Sequence, residues 1–206
     1  MPTAQRLLMF TLAAAVCLVS ADALAQSGSK KKPGSGAKPS VTMPVANTVE
    51  VGDTAPTVTL PDLSGQTVDL ADTFAAGRTV LVVLRGYPGY QCGICNRLAS
   101  GYIGAADQFA DAGLSVVMVY PGESAGLSGK AEEFLGDRTL PAGVTMLLDP
   151  DYELVDAYGL RWDAPNETAY PSTFVIAEGG EVEWAKVSKT HGGRASAKAV
   201  LAAVTK

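Results

Sequence analysis

Three short apolar runs, each followed by a helical pattern, most constrain how this chain can fold. The runs are TVLVVL at residues 79–84, LSVVMVY at 114–120 and VTMLLD at 144–149. Continuous Val-rich runs of this length are typical of strands that are buried on both faces. Because helices must connect and cover such strands, the pattern predicts an α/β domain. Its mixed central sheet is expected to be parallel in the middle and flanked by helices.

The segments on either side extend this α/β pattern. Two short runs around Ser64-Gly65 predict an N-terminal β-hairpin. One helix is expected from Cys92 to about residue 112, with Gly113 as its stop signal. The runs STFVIA and EVEWAKV, joined by Gly179-Gly180, predict a second hairpin. The run SAKAVLAAV then predicts a closing helix.

Residues 1–25 have the features of a secretory signal peptide. Arg6 precedes the apolar run LLMFTLAAAVCLV, and an A-x-A pattern predicts cleavage before Gln26. A lipoprotein signal would instead lead to acylation of Cys17, but Val16 is unfavourable at that cleavage position. We therefore expect export across the cytoplasmic membrane, into the periplasm or out of the cell.

Residues 26–48 predict a disordered linker, because they are rich in Gly, Ser, Pro and Lys and lack periodicity. The folded domain is expected at residues 49–206, with no stable transmembrane span after signal removal. Without Arg6 and the four linker lysines, 11 of the 16 basic residues remain. Without Asp22, 20 of the 21 acidic residues remain, so the domain has a net charge of −9. That charge argues against a nucleic-acid partner.

Two of the three cysteines, Cys92 and Cys95, form a C-x-x-C pair just after the first Val-rich run. Open α/β sheets place their sites at this end of a strand, and the N-terminus of a helix favours a thiolate. Because Gly93 and Ile94 carry no charge, we expect a moderately lowered pKa for Cys92. The spacing lets the two sulfur atoms meet in a redox-active disulfide.

Other uses of this cysteine pair explain the sequence less well. Zinc needs about four ligands, and the mature chain adds only His191, which is far away in sequence. A structural bridge across so short a loop would contribute only about 2 kcal/mol. Inert buried thiols are not expected at the start of a helix. We therefore expect thiol redox chemistry without a metal or an organic cofactor.

Four segments resemble the alkyl hydroperoxide reductase/thiol-specific antioxidant family, the peroxiredoxin-like (redoxin) branch of the thioredoxin fold. They are VGDTAPTVTLPDLSGQTVDLAD, VLVVLRGYPGYQCGIC, LLDPDYELVDAYGL and AYPSTFVIAEGGEVEW. Together they fall within residues 49–204. The resemblance implies a thioredoxin-like fold with an N-terminal β-hairpin extension.

The active-site motif departs from that family at two positions. Peroxiredoxins carry P-x-x-x-T-x-x-C, in which the last cysteine attacks peroxide. Pro88 and Cys95 fit this motif, but Cys92 occupies the threonine position. The family's thiolate-stabilising arginine is replaced by Pro171. Tyr170-Pro171 instead resembles the cis-proline segment of thioredoxin-like proteins, where the proline packs on the cysteines and the preceding backbone binds a partner.

These departures favour a thiol–disulfide oxidoreductase. Cys92 would attack a disulfide of a protein or small molecule, and Cys95 would resolve the mixed disulfide. The alternative is an antioxidant thiol peroxidase, with Cys95 as the peroxidatic and Cys92 as the resolving cysteine. A third hypothesis is a redox-sensitive binding module or Cu(I) chaperone. The electron donor and the physiological partner stay open.

Several residues near the pair have two possible roles. Arg85 is expected to lower a thiol pKa or orient a substrate, or else to form a surface ion pair. Tyr87 and Tyr90 flank the turn and are expected to pack against it. His191 shows no evident acid partner in the sequence and is expected to be a surface histidine. Trp162 is expected to pack in the core or at its rim.

Overall fold

The computed structural model describes residues 48–205, which form the predicted α/β architecture. The signal peptide and all but the last residue of the predicted linker lie outside the described residues. In chain order the elements are β1 (Thr59–Pro61), β2 (Thr67–Asp69), α1 (Leu70–Ala76), β3 (Thr79–Val83), α2 (Gly93–Ile103), α3 (Ala106–Asp111), β4 (Ser115–Gly122), α4 (Leu127–Leu135), β5 (Val144–Pro150), α5 (Glu153–Ala157), β6 (Ser172–Ile176), β7 (Val182–Val187) and α6 (Ala197–Val204).

The central sheet has five strands in the order β5-β4-β3-β6-β7. Strands β3, β4 and β5 are parallel, whereas β6 is antiparallel to β3 and β7 is antiparallel to β6. The predicted mixed sheet is therefore confirmed. Strands β1 and β2 form a separate antiparallel hairpin, and a bridge between Asp62 and Leu147 joins that hairpin to the edge of the sheet.

The burial of β3 on both faces explains why its apolar run is unbroken. All five of its residues are buried, and successive side chains point to opposite faces of the sheet. Val80 and Val82 pack in the core on the side of α2, α4 and α6. Leu81 and Val83 pack in the core on the side of α1 and α5. Because helices cover both faces of this strand, neither face needs polar residues.

Helix α1 is an element that the sequence analysis does not predict. Asp69 caps it by accepting a hydrogen bond from the backbone N–H of Ala71 at 2.7 Å. Leu70 and Phe74 are its buried residues. The helix has seven residues, too few for its apolar spacing to stand out from that of the preceding strand.

The helix expected from Cys92 to about residue 112 is instead two helices. Helix α2 ends at Ile103, and α3 begins at Ala106. The break lies at Gly104, the end cap of α2, whose backbone N–H still bonds to the carbonyl of Ser100 at 2.9 Å. Glycine is a poor helix former, which favours a break in the helix at this position.

No helix within residues 48–205 is both long and apolar enough to cross a membrane.

Candidate active site

The turn between β3 and α2 delivers the cysteine pair to the carboxyl end of the central strand. Gly86 in this turn has a φ of +69°, a left-handed conformation that glycine adopts without strain. A Cβ atom there would also collide with the backbone carbonyl of Pro121 in β4. The backbone N–H of Tyr87 donates a hydrogen bond to that same carbonyl, with 3.1 Å between the nitrogen and the oxygen. The turn is thus fixed against the neighbouring strand.

Cys92 and Cys95, here called the dithiol, lie at the start of α2. Both are free thiols in this structure. Cys92 is the N-cap of the helix, and its sulfur accepts a hydrogen bond from the backbone N–H of Cys95 at 3.3 Å. Cys92 is 6% exposed, whereas Cys95 is completely buried. A reagent from solution therefore reaches the sulfur of Cys92 first.

Arg194 supplies a positive charge to the dithiol, and the sequence analysis does not predict it. Its Nη1 donates to the sulfur of Cys95 at 2.8 Å, and its Nη2 to the sulfur of Cys92 at 3.7 Å. A guanidinium can only donate hydrogen bonds, so both sulfur atoms act as acceptors toward it. This fork favours a negative charge on the pair.

The environment lowers the pKa of Cys92 to about 4, against an ordinary value of 9.0, so the expected moderate decrease is wrong. The main cause is a hydrogen bond from the Cys95 thiol, followed by the Cys95 backbone N–H and the charge of Arg194, while burial acts in opposition. The pKa of Cys95 is raised, mainly because its proton is held by the Cys92 thiolate and because it is buried. Arg194 lies closer to Cys95, yet the shared negative charge resides on Cys92, since only Cys92 receives both hydrogen bonds from its partner.

The topology of the sheet explains why Arg194 reaches the dithiol from 99 residues away. Val83 at the end of β3 is paired with Ser172 in β6, which is paired in turn with Val187 at the end of β7. Strands β3 and β7 therefore run in the same direction, and their carboxyl ends lie on the same side of the sheet. The signal in the sequence is an arginine in the Gly-rich loop between the last strand and the closing helix. It becomes informative only once the strand order is known.

Arg85 does not contact the dithiol. Its side chain is buried, and its Nε bonds to Oε2 of Glu167 at 2.6 Å. Its Nη2 donates to the hydroxyl of Tyr90 at 2.7 Å and to the backbone carbonyl of Asn166. The expectation of a surface ion pair is thus corrected to a buried one. Arg85 ties the turn before the dithiol to the segment that precedes β6.

The Tyr170–Pro171 bond is trans, because no peptide bond within residues 48–205 is cis. The expected cis-proline is therefore wrong. The segment instead runs extended from the bridge between Arg161 and Ala169 directly into β6. Pro171 precedes Ser172, which pairs with Val83 at the carboxyl end of β3. The carbonyl of Pro171 accepts a hydrogen bond from the backbone N–H of Ser188 at 3.0 Å.

The backbone of Tyr170 already has partners within the domain. Its N–H bonds to the carbonyl of Leu160 at 2.9 Å, and its carbonyl accepts from the hydroxyl of Ser172 at 2.9 Å. Its ring is buried and stacks on Trp162, with 4.4 Å between the centroids. In this conformation, a partner chain would have to displace those hydrogen bonds to use the Tyr170 backbone.

His191 has an acid partner that the sequence analysis does not identify. Its Nε2 lies 2.8 Å from Oε1 of Glu167, the carboxylate that also binds Arg85. The imidazole packs at a tilt on Trp162, with 5.0 Å between the centroids. The ring is 45% exposed, so the expected surface position holds, but the expected lack of an acid partner is wrong.

A polar cavity of about 370 Å³ opens beside the turn. Its lining includes Tyr87 and Pro88, and Lys130, Arg161 and Glu167 contribute charged side chains. Neither cysteine lines this cavity, whereas Pro88 does. Within residues 48–205, no cluster of three or more His, Cys, Asp or Glu side chains is arranged to hold a metal ion.

A reduced dithiol at a helix N-terminus, on a mixed sheet with this strand order, defines a thioredoxin-fold thiol redox protein. Comparison with known proteins gives the family. The profile of the Redoxin family matches residues 50–201, and the chain belongs to that family. The resemblance to the peroxiredoxin-like branch of the thioredoxin fold is thereby confirmed.

Individual relatives agree with this assignment. A Mycobacterium tuberculosis (strain H37Rv) protein whose name places it among the peroxiredoxins is 33% identical over 138 residues, which are 64% of this chain and 80% of the relative. Reduced Prx3 from Vibrio vulnificus has a similar fold, with a TM-score of 0.64 at 22% identity, covering 77% of this chain and 100% of that one. A Chlorobium tepidum protein described as a thiol:disulfide interchange protein, DsbE, aligns with a TM-score of 0.55 at 24% identity, covering 76% and 99%.

Proposed function

We propose that this protein is a thiol peroxidase that reduces hydroperoxides with its dithiol. The observation that carries the proposal is the fork of Arg194, which donates to the sulfur atoms of both Cys95 and Cys92. A peroxide-reducing thiolate needs a positive charge beside it, and Pro171 stands where the family motif would supply one. Arg194 meets that need from another part of the chain. The names of the sequence relatives favour the same substrate class.

The proposed reaction proceeds in two steps. The Cys92 thiolate attacks the terminal oxygen of ROOH, so that an S–O bond forms and the O–O bond breaks. The alkoxide leaves and takes up a proton, and Cys92 becomes a sulfenic acid. Cys95 then attacks the Cys92 sulfur, so that an S–S bond forms and water is released. One dithiol thus gives two electrons to one peroxide and ends as a Cys92–Cys95 disulfide.

Cys92 is the attacking residue in this proposal, although Cys95 occupies the peroxidatic position of the family motif. The lowered pKa of Cys92 makes it the thiolate, and its greater exposure gives peroxide access to it. Cys95 keeps its proton and lies behind it, which suits the resolving role. The proposal therefore shares its substrate, a peroxide, with the peroxidase alternative from the sequence analysis. It shares its attacking residue, Cys92, with the oxidoreductase hypothesis.

The cycle closes when an external thiol reduces the disulfide. Attack by that thiol gives a mixed disulfide, and a second thiolate releases the reduced dithiol. The same chemistry supports a second candidate function, thiol–disulfide oxidoreduction. It is favoured by the position of Cys92 as the helix N-cap of a C-x-x-C pair, a position suited to attack on any accessible disulfide.

Rapid kinetics separate the two candidates. The reduced protein is mixed with hydrogen peroxide in one series and with an aromatic disulfide in the other, and the second-order rate constants are compared. The peroxidase proposal predicts the larger constant for peroxide. Loss of both reactions is expected in Cys92→Ser. A wild-type protein that reduces the disulfide but leaves peroxide untouched would establish the second candidate instead.

Export belongs to the proposal as well. The signal-peptide features of residues 1–25 favour export to an oxidising compartment, where the dithiol would need a dedicated thiol supply to stay reduced. The mass of the protein isolated from its producing cells tests this point. Cleavage predicts a chain that begins at Gln26, whereas an acylated chain that begins at Cys17 would support the lipoprotein alternative.

A further inference from the structure

We propose that His191 is a positioning residue: by binding Glu167, it holds Arg194 against the two sulfur atoms of the dithiol. The inference deepens the proposed function but does not depend on the oxidising substrate. It depends only on Arg194 setting the reactivity of Cys92.

Arg194 lies on a loop that needs anchoring. Gly192 and Gly193 precede it, and Gly193 has a φ of +73°. Two adjacent glycines leave the backbone free to adopt many conformations. Both ends of this short stretch are held by buried residues: the carbonyl of Ala195 accepts the hydroxyl of Tyr102 at 3.0 Å, and the hydroxyl of Ser188 lies within hydrogen-bond distance of the carbonyls of Thr190 and Gly192. These bonds hold the backbone of the loop, but none of them contacts the side chain of Arg194.

His191 supports the side chain of Arg194, because it contacts both the domain and the guanidinium. Its Nε2 is 2.8 Å from Oε1 of Glu167, and its ring packs on Trp162. Its backbone carbonyl accepts a hydrogen bond from Nε of Arg194 at 3.0 Å. The guanidinium that reaches the dithiol is thus held by the residue whose side chain is bound to the domain.

Glu167 is a fixed support for this contact. Its side chain is only 11% exposed, and its second oxygen accepts Nε of Arg85 at 2.6 Å. Arg85 is itself buried and bound to the turn before the dithiol. The charged groups that face His191 are therefore the Glu167 carboxylate and, through the backbone contact, the guanidinium of Arg194. Because Glu167 is fixed in place, losing its bond to His191 removes the side-chain anchor of the residue whose carbonyl holds Arg194.

The test measures the dithiol directly, without peroxide or a substrate disulfide. The rate of Cys92 alkylation by iodoacetamide is followed from pH 3 to pH 8 in the full-length reduced protein. The midpoint of this profile reports the thiol pKa. His191→Ala is expected to move the midpoint upward by at least about half a pH unit, and by less than Arg194→Met does.

Matched variants separate positioning from a general loss of structure or charge. His191→Gln keeps an N–H donor that can reach Glu167, so it is expected to restore the wild-type midpoint. Lys189→Ala removes an exposed cation from the same loop and is expected to leave the midpoint unchanged. The proposal is overturned if His191→Ala matches wild type while Arg194→Met shifts the midpoint, or if Lys189→Ala shifts it as much as His191→Ala. Failure of the peroxidase proposal alone would leave these results unaltered.

Discussion

Replacing Arg194 by methionine isolates the electrostatic effect of its guanidinium on the dithiol. Methionine retains much of the side-chain volume and removes the charge. The charge lies 3.7 Å from the sulfur of Cys92. At an effective dielectric constant of about 20, such a pair attracts by about 4 kcal/mol, equivalent to about 3 pH units in a pKa.

The measured effect is expected to be smaller than this limit. Arg194 is partly exposed, and water enters the space that the guanidinium leaves. The hydrogen bonds that Cys92 receives from Cys95 remain, and they contribute more than Arg194 to lowering its pKa. We therefore expect the pKa of Cys92, about 4 in the wild-type protein, to rise by about 1 to 2 pH units in Arg194→Met.

Two assays at pH 7 then move in opposite directions. Cys92 stays a thiolate in the variant at this pH, and a thiolate of higher pKa is more nucleophilic. Alkylation by iodoacetamide should therefore become about three- to eightfold faster. Under the proposed function, Arg194 also stabilises the negative charge that develops on the leaving oxygen. Peroxide reduction should therefore become roughly 100-fold slower, because methionine offers no donor in its place.

Arg194→Lys is the matched control, since it keeps the charge but loses the fork. It is expected to fall between wild type and Arg194→Met in both assays. A parallel rise of alkylation and peroxide reduction in Arg194→Met would show that Arg194 only tunes the thiolate. An unchanged midpoint in the alkylation profile would refute the electrostatic role of Arg194 altogether.

Two further substitutions test the stability of the domain. Burial raises the pKa of Asp149 to about 6, although Leu154 and Val155 donate backbone hydrogen bonds to it. The native state thus holds an extra proton between about pH 4 and pH 6, and the free energy of unfolding should fall by up to about 3 kcal/mol as pH rises through this range. In urea unfolding, Asp149→Asn should show a weaker pH dependence; an unaltered slope would contradict the assignment. Gly86→Ala should lose at least about 3 kcal/mol, because its Cβ meets the Pro121 carbonyl; a loss below about 1 kcal/mol would show that the turn can move.

Features that depend on neighbouring residues in the sequence were predictable. The Val-rich run at β3 indicates a strand that is covered on both faces, and the structure buries all five of its residues. The cysteine pair follows that strand directly, and Cys92 is the N-cap of the next helix. In both cases the interacting groups are close in sequence, so spacing alone carries the information.

Features that depend on the packing of distant segments were not predictable from the sequence. Arg194 reaches the dithiol because the carboxyl ends of β7 and β3 lie on the same side of the sheet, which no local pattern reveals. The partner of His191 likewise lies 24 residues earlier in the chain. Pro171 was expected to be cis from a local resemblance, but its peptide bond is trans.

The identity of the oxidised cysteine tests the central claim most directly. Reduced Cys95→Ser is treated with one equivalent of hydrogen peroxide in the presence of dimedone, and the adduct is located by peptide mass spectrometry. The account predicts consumption of the peroxide and about one dimedone adduct per chain, on Cys92. An adduct on Cys95 in Cys92→Ser, with no reaction in Cys95→Ser, would contradict it.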